Sequence, residues 1–357
     1  MAGVLFIFLA GAFLFCILKP MQNYSDTERR ELAVFPELTL ENVWNGRFMQ
    51  DFENYALDQF PMRDQLRSLK AGVSTGIFRK KDDNGIYLAD GYAVKMEYPM
   101  NQKSLDYAGK RFQGVYDAYL KDTDCKIYLS LIPDKNYFLG KENGYLVMDY
   151  DQFAAGMQEQ MPYAEYIDIF NLLSIEDYYR SDIHWRQEQL TDVAKYLADE
   201  MGTELSGGYE IHALEQVFFG VYTGQTAAAL DGEALYYLTN DVLDQCIVHN
   251  YETDSDSGIY NKKKAEGKDP YDIFLSGPVS LLTIENPLMD GKKELVVFRD
   301  SFGSSLIPLL AEGYSKITLV DIRYMQSGLL GKFLEFEDQD VLFMYSTSVL
   351  NHSETLK

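Results

Sequence analysis

The chain has 357 residues, of which 46% are hydrophobic and 24% charged, the composition of a folded protein. Its 32 Lys and Arg against 55 Asp and Glu give a net charge of −23, and no basic stripe offsets it, which excludes nucleic-acid binding. At ~150 residues per domain the length suggests two domains, or one large α/β domain with an insertion.

The first twenty residues carry no charged side chain before Lys19. The run from Ala2 to Leu18 is apolar on every face and sits at the short end of what crosses a ~30 Å hydrocarbon core. It lacks the basic start and small-residue cleavage site of a signal peptide, and Leu14 and Phe15 ahead of Cys16 are wrong for a lipoprotein. Residues 1–20 therefore read as an uncleaved, single-pass signal-anchor, with the body on the extracellular side of a cell membrane. With Cys16 in that segment, Cys125 and Cys246 are the one pair left, neither a disulfide framework nor a metal motif.

Residues 21–100 read as a tether, a helical segment and a hairpin. Met21 to Leu38 is polar. From Glu41 to Phe78 the spacing of Phe48, Phe52, Tyr55, Ala56 and Phe60 predicts a helix that Pro61 bends or restarts. NGIYLADGYAVKM (84–96) predicts a hairpin turning at Asp90-Gly91. From 101 to 357 the pattern is a helix over Gln102–Leu120 and then alternating strand and helix. Strands are expected at 126–131, 164–170, 295–298, 316–320 and 341–345. Helices are expected at 187–201, closed by Gly202, at 306–311 and at 328–336. This alternation implies a parallel sheet flanked by helices, with right-handed crossovers. Gly208 to Pro287 is rich in short strands and loops and reads as a β-rich insertion.

Four histidines (His184, His212, His249, His352) show no metal-ligand spacing, and there is no Walker loop or Gly-rich dinucleotide turn. No metal or other cofactor is expected. The 27 Tyr and 21 Phe against 2 Trp offer apolar faces with hydroxyls, which suit sugars but also pack in cores.

Two segments carry chemistry. Arg299-Asp300-Ser301-Phe302-Gly303-Ser304-Ser305 lies between the strand LVVF and a helix, where a Ser can hold its hydroxyl clear of the backbone. The helix start behind it would supply free N–H groups and a positive dipole end for an oxyanion; the plainer reading is that Ser304 or Ser305 caps the helix. Ser181-Asp182-Ile183-His184-Trp185 is the second segment. If it is extended, Asp182 and His184 face one side, and the carboxylate can fix the imidazole tautomer while the other ring nitrogen reaches a hydroxyl. A capping Asp beside a surface His is the plainer reading.

SDIHW followed by RDSFGSS, with IPDK (132–135) upstream, resembles the DHHW proteins of Gram-positive bacteria, which look related to the alginate O-acetylation proteins. DQFPMRD (58–64), NGIYL (84–88), VFFGVYTGQTA (217–227), TIENP (283–287) and LVDIRYM (319–325) extend the resemblance over nearly the whole body. It implies an SGNH-hydrolase-like domain with permuted motif order: Ser301 matches the nucleophile, His184 the general base and Asp182 the residue orienting it. Ile183 stands at the first His of the named motif, and Arg299 where a Gly would be.

Substrate or oxyanion roles are considered for Arg299, Ser304, Arg323, Lys135 and Trp185. Arg323 has Asp321 beside it as an alternative partner, and Trp185 is read as packing behind the His or as a sugar platform. The expected activity is O-acetyl (acyl) transfer to, or removal from, a cell-envelope polysaccharide or exopolysaccharide through Ser301, His184 and Asp182. The resemblance implies a membrane acyltransferase partner as acyl donor. The competing expectations are a non-catalytic polysaccharide-binding or scaffold protein on the same fold, and a plain lipase.

Overall fold

The computed structural model describes all residues except 1–2, 4–5, 7–9, 12–19, 26–27, 29, 74–81, 83, 227–229 and 292. Most of the expected anchor, and the end of the helix expected to reach Phe78, lie outside the described residues. Among the described residues no helix is long and apolar enough to cross a membrane.

The chain divides into two units, Met1–Tyr87 with Phe219–Asp231, and Leu88–Phe218 with Gly232–Lys357. In the first, the helix expected from 41 breaks at Gly46, which adopts φ +77, and again where Pro61 stands; after a short turn, Leu40–Trp44, this gives helices Arg47–Asp58 and Arg63–Gly72. Phe48, Phe52 and Tyr55 fall on one face of the first and close around Phe35. Arg30, Arg63 and Arg67 surround Glu28 and Asp58. The Arg30 guanidinium holds the Asp58 carboxyl below its ordinary value. On either side of the Asp90-Gly91 turn, both residues at positive φ, lie the strands Ile86–Ala89 and Tyr92–Lys95.

The second unit is built on one eight-stranded sheet. Its strands are β1 (Lys126–Ile132), β2 (Glu165–Tyr166), β3 (Ile247–Asn250), β4 (Ser255–Ser257), β5 (Leu281–Glu285), β6 (Glu294–Arg299), β7 (Lys316–Val320) and β8 (Asp340–Ser346). Their order is β4-β3-β5-β7-β6-β8-β1-β2. From β7 to β2 all neighbours are parallel, whereas β5 joins β7 antiparallel and carries β3 and β4 beyond it. Part of the segment read as an insertion thus lengthens the central sheet.

The central strands read as unbroken apolar runs because both faces are covered. Along β6, Leu295 and Val297 enter the core on one face, while Val296 and Phe298 enter the core on the other. The first core is completed by helix α3 (Thr191–Glu200), through Val193, Ala194, Leu197 and Ala198. The second is completed by helices α1 (Gln102–Val115) and α2 (Tyr150–Gln160), N-capped by Asn101 and Asp149. Past Val115 the first of these continues as a π-helical turn, Tyr116–Leu120.

Three expected helices come out shorter. The segment at 187–201 starts as a 3₁₀ turn, Gln187–Gln189, and ends at Gly202, which adopts φ +67. Gly303–Leu306 is a single α turn that passes into a 3₁₀ stretch, Ile307–Gly313, because Pro308 has no N–H to continue the α ladder. The helix expected at 328–336 is a 3₁₀ segment, Ser327–Lys332, where Gly328 and Gly331 disfavour a longer helix. Cys125 and Cys246 are free thiols, and burial pushes the Cys246 thiol up to about 12.

Candidate active site

The parallel strands end together, so the residues just after β1, β6, β7 and β8 share one edge of the sheet, where ligands bind in open α/β folds. Asp134, Ser301, Asp321 and Thr347 all lie there. After β6 the chain turns sharply, and Asp300 makes the turn. One of its carboxylate oxygens accepts from Phe302 N at 3.0 Å, and the other accepts from Ser346 N and Oγ at 2.8 and 2.7 Å. The turn is thereby tied to the neighbouring strand. From Arg299 to Leu310, Ser301 is the one residue that is not buried.

Asp182 and His184 arrive on the loop between Tyr178 and Trp185, which pair as an isolated bridge. The loop is bent where the sequence suggested an extended segment. Its local order comes from an Asx turn: Asp182 Oδ1 accepts from His184 N at 3.0 Å. Glu233 clamps the loop from outside, accepting from Arg180 N at 2.8 Å, Ser181 N at 2.9 Å and Ser181 Oγ at 2.8 Å. Lys135 Nζ donates to the carbonyls of Tyr179 and Arg180 at 3.0 and 3.2 Å.

These two loops bring the three matched residues into line. His184 Nδ1 lies 2.7 Å from Asp182 Oδ1, and Nε2 lies 2.8 Å from Ser301 Oγ. A carboxylate can only accept, so Nδ1 carries a proton toward it and Nε2 of the neutral ring faces the Ser hydroxyl as an acceptor. Asp182 is 1% and His184 8% exposed, so the pair is shielded while Ser301 stays accessible.

Tyr271 lies flat on the imidazole, with centroids 4.0 Å apart and planes within 9°. Its hydroxyl meets Ser305 Oγ at 2.8 Å, and Trp185 Nε1 donates to the same oxygen at 3.0 Å and to Phe302 O at 3.0 Å. Ser305 in turn lies 3.4 Å from Phe302 O, so its one donor and two acceptor sites are all engaged. Burial raises the Tyr271 phenol, which stays protonated. The bonds made by Ser305 replace its expected role as a cap: the N-cap position is Phe302, without a side-chain bond, and Ser304 is buried.

The remaining candidates stand around this line rather than in it. Trp185 is wholly buried and packs edge-on to Phe302, so it is not a surface platform for a sugar. Arg299 is wholly buried under the turn, 3.8 Å from Asp321, with its stem against Gly303, where an added Cβ would sit 3.0 Å from Arg299 Cβ. A substrate cannot reach it. Arg323 forms a two-pronged pair with Asp321, Nε at 2.9 Å and Nη2 at 2.6 Å. Lys135 is 3% exposed, and burial brings its ammonium down to about 7, against the pull of Asp182 and Glu233. The expected free helix amides are also engaged: Phe302 N by Asp300, Gly303 N by Asp300 O and Ser304 N by Ser301 O. In that turn the Ser301 amide has no acceptor among the described residues.

Tyr271, Glu233 and Ser305 were not singled out as site residues by the sequence. Tyr271 and Glu233 sit in the segment read as an insertion, and no local spacing signals a contact made 50 or more residues away, as Glu233 makes with Ser181. Ser305 was visible within RDSFGSS, but as a cap.

No protein-family model matches the chain, and no curated protein matches it in sequence. Among solved structures it is similar to a DHHW family protein from Eubacterium siraeum, with a TM-score of 0.62 and 18% identity over 77% of this chain and 95% of the other. It is also similar to Bacillus cereus PatB1, with a TM-score of 0.57 and 16% identity over 74% and 96% of the two chains. PatB1 with a sulfonyl adduct aligns at 0.56, with 16% identity over 74% and 97%. The O-acetyltransferase domain of Pseudomonas putida AlgJ is a looser likeness, at 0.44 and 12% identity over 75% and 92%. The mixed α/β fold of this chain is the one seen in the DHHW family protein and in PatB1, in keeping with the family resemblance carried by SDIHW and RDSFGSS.

Proposed function

We propose that this protein is an SGNH-hydrolase-like serine acyltransferase or esterase of permuted motif order, acting on O-acetyl groups of a cell-envelope polysaccharide. The observation that carries the proposal is the hydrogen-bonded line Asp182–His184–Ser301 ending at an accessible hydroxyl. The acetyl group and the polysaccharide rest on the resemblance to the DHHW and alginate O-acetylation proteins.

In this mechanism His184 Nε2 takes the Ser301 proton as Oγ attacks the acyl carbon of the donor, and Asp182 steadies the imidazolium. The Ser301 amide is the turn's donor to the resulting oxyanion. Collapse breaks the bond to the leaving oxygen, which takes the proton from His184 and departs, leaving acyl-Ser301. A sugar hydroxyl then loses its proton to Nε2 and attacks; the acyl group passes to the sugar, and the proton returns to Ser301. Water in place of the sugar makes the same protein an esterase.

We further place the body outside the membrane, held by the apolar run from Ala2 to Leu18, with a membrane acyltransferase as donor. Protease added to intact protoplasts is expected to digest the body; full protection would contradict this placement. The chemistry is tested with an aryl acetate. Phenol release is expected with wild type and is expected to fall by roughly 10³-fold or more in Ser301→Ala. Equal release from both proteins would remove Ser301 as the nucleophile.

A further inference from the structure

A cavity of about 750 Å³ opens where Tyr107 and Arg111 of α1 meet Arg323 and Tyr324, just beyond β7. That volume lies within the range of ligand sites. Two tyrosine–arginine pairs line it. The Arg111 guanidinium lies over the Tyr107 ring, 4.8 Å from its centroid, and Nη2 donates to the Tyr107 hydroxyl at 2.5 Å. That hydroxyl donates to Leu356 O at 2.9 Å, which fixes the ring. Arg323 lies over Tyr324 at 5.5 Å.

Both arginines hold donors in reserve. Among the described residues no carboxylate pairs with Arg111 and its Nη1 makes no hydrogen bond, whereas its Nε is buried out of a ligand's reach. In a chain with 55 acidic and 32 basic residues, an arginine without an acidic partner is unexpected. Arg323 spends Nε and Nη2 on Asp321, which leaves Nη1 and sets the plane of the fork. Lys357 brings an ammonium together with a main-chain carboxylate and so adds no net charge, and Glu354 is the one acidic side chain in the lining.

A guanidinium fork matches a carboxylate or phosphate, and a tyrosine face matches the C–H face of a sugar ring. We infer that this cavity binds an acidic sugar unit, one bearing a carboxylate or a phosphate, of the polymer on which the protein acts. The inference rests on the polysaccharide reading given above. It adds the charge of the polymer and a place where it is gripped. Arg323 and Tyr324 follow β7 and Ser301 follows β6, its parallel neighbour, so the grip and the hydroxyl lie on the same edge of the sheet.

The test is calorimetric titration of the full chain with oligogalacturonate, with a glycerol-phosphate oligomer and with a neutral cello-oligosaccharide. At least one acidic oligomer is expected to bind at least tenfold more tightly than the neutral one, and the one that binds identifies the charged group. Arg111→Gln and Tyr324→Ala, each checked for folding by circular dichroism, are expected to weaken that binding tenfold or more. Binding of neither acidic oligomer, no preference over the neutral one, or unchanged affinity in both variants would overturn the inference. Aryl acetate turnover by the same preparation reports separately on Ser301, so failure of the grip and failure of the acyl-transfer reading are distinguishable.

Discussion

His184 is fixed by contacts of three kinds: a carboxylate at Nδ1, a hydroxyl at Nε2 and aromatic rings, with Tyr271 flat on its face and Phe302 tilted against it at 5.0 Å. The first two were legible as residue types in SDIHW and RDSFGSS. The third was not, because stacking leaves no spacing rule in a sequence. Tyr271 holds the ring from 4.0 Å and is itself held by Ser305. Tyr271→Phe keeps the stack and loses only the bond to Ser305, so acylation by an aryl acetate is expected to slow by no more than about tenfold. Tyr271→Ala removes the wall, and a misplaced base costs on the order of 10²-fold. Stopped-flow measurement of the acylation step checks both; equal rates in the two variants would mean that the ring does not position His184.

At the scale of elements, the loop from Tyr178 to Trp185 depends on side chains distant in sequence. The i, i+2 spacing of Asp182 and His184 was readable, but its cause is an Asx turn and not an extended strand. The clamps are Glu233 and Lys135. Glu233→Gln loses a charge-assisted acceptor for two amides and a hydroxyl, and is expected to cost about 1.5–3 kcal/mol in urea unfolding. Lys135 yields a pH prediction. Its ammonium releases a proton at about 7 in the fold but at the ordinary lysine value when unfolded. Between those values the unfolded chain binds the proton that the fold has given up, so this group makes stability rise with pH from about 7 upward. Lys135→Met is expected to flatten that rise in urea midpoints measured across the window. An unchanged pH slope would contradict the lowered value.

For the whole molecule, the parallel half of the sheet was legible because strands covered on both faces carry unbroken apolar runs such as LVVF, KITLV and VLFMY. The antiparallel half was not. Leu281–Glu285, Ile247–Asn250 and Ser255–Ser257 are short strands between polar turns, and such strands look the same whether they form a separate lobe or extend a sheet. Pairing of Leu281 with Val320 decides between these, and that contact is non-local. The antiparallel extension matters to the site because the same stretch of chain supplies Tyr271, and Glu233 precedes it.

The most direct measurement is covalent labelling of the full chain with phenylmethylsulfonyl fluoride, followed by peptide mass mapping. A sulfonyl fluoride reacts with a serine hydroxyl that an adjacent base activates, losing fluoride as it bonds to Oγ. One sulfonyl group is expected on the peptide containing Ser301, absent in Ser301→Ala and formed far more slowly in His184→Ala. Labelling at another serine, or labelling of Ser301 at an equal rate without His184, would contradict the account of an activated nucleophile at the end of β6.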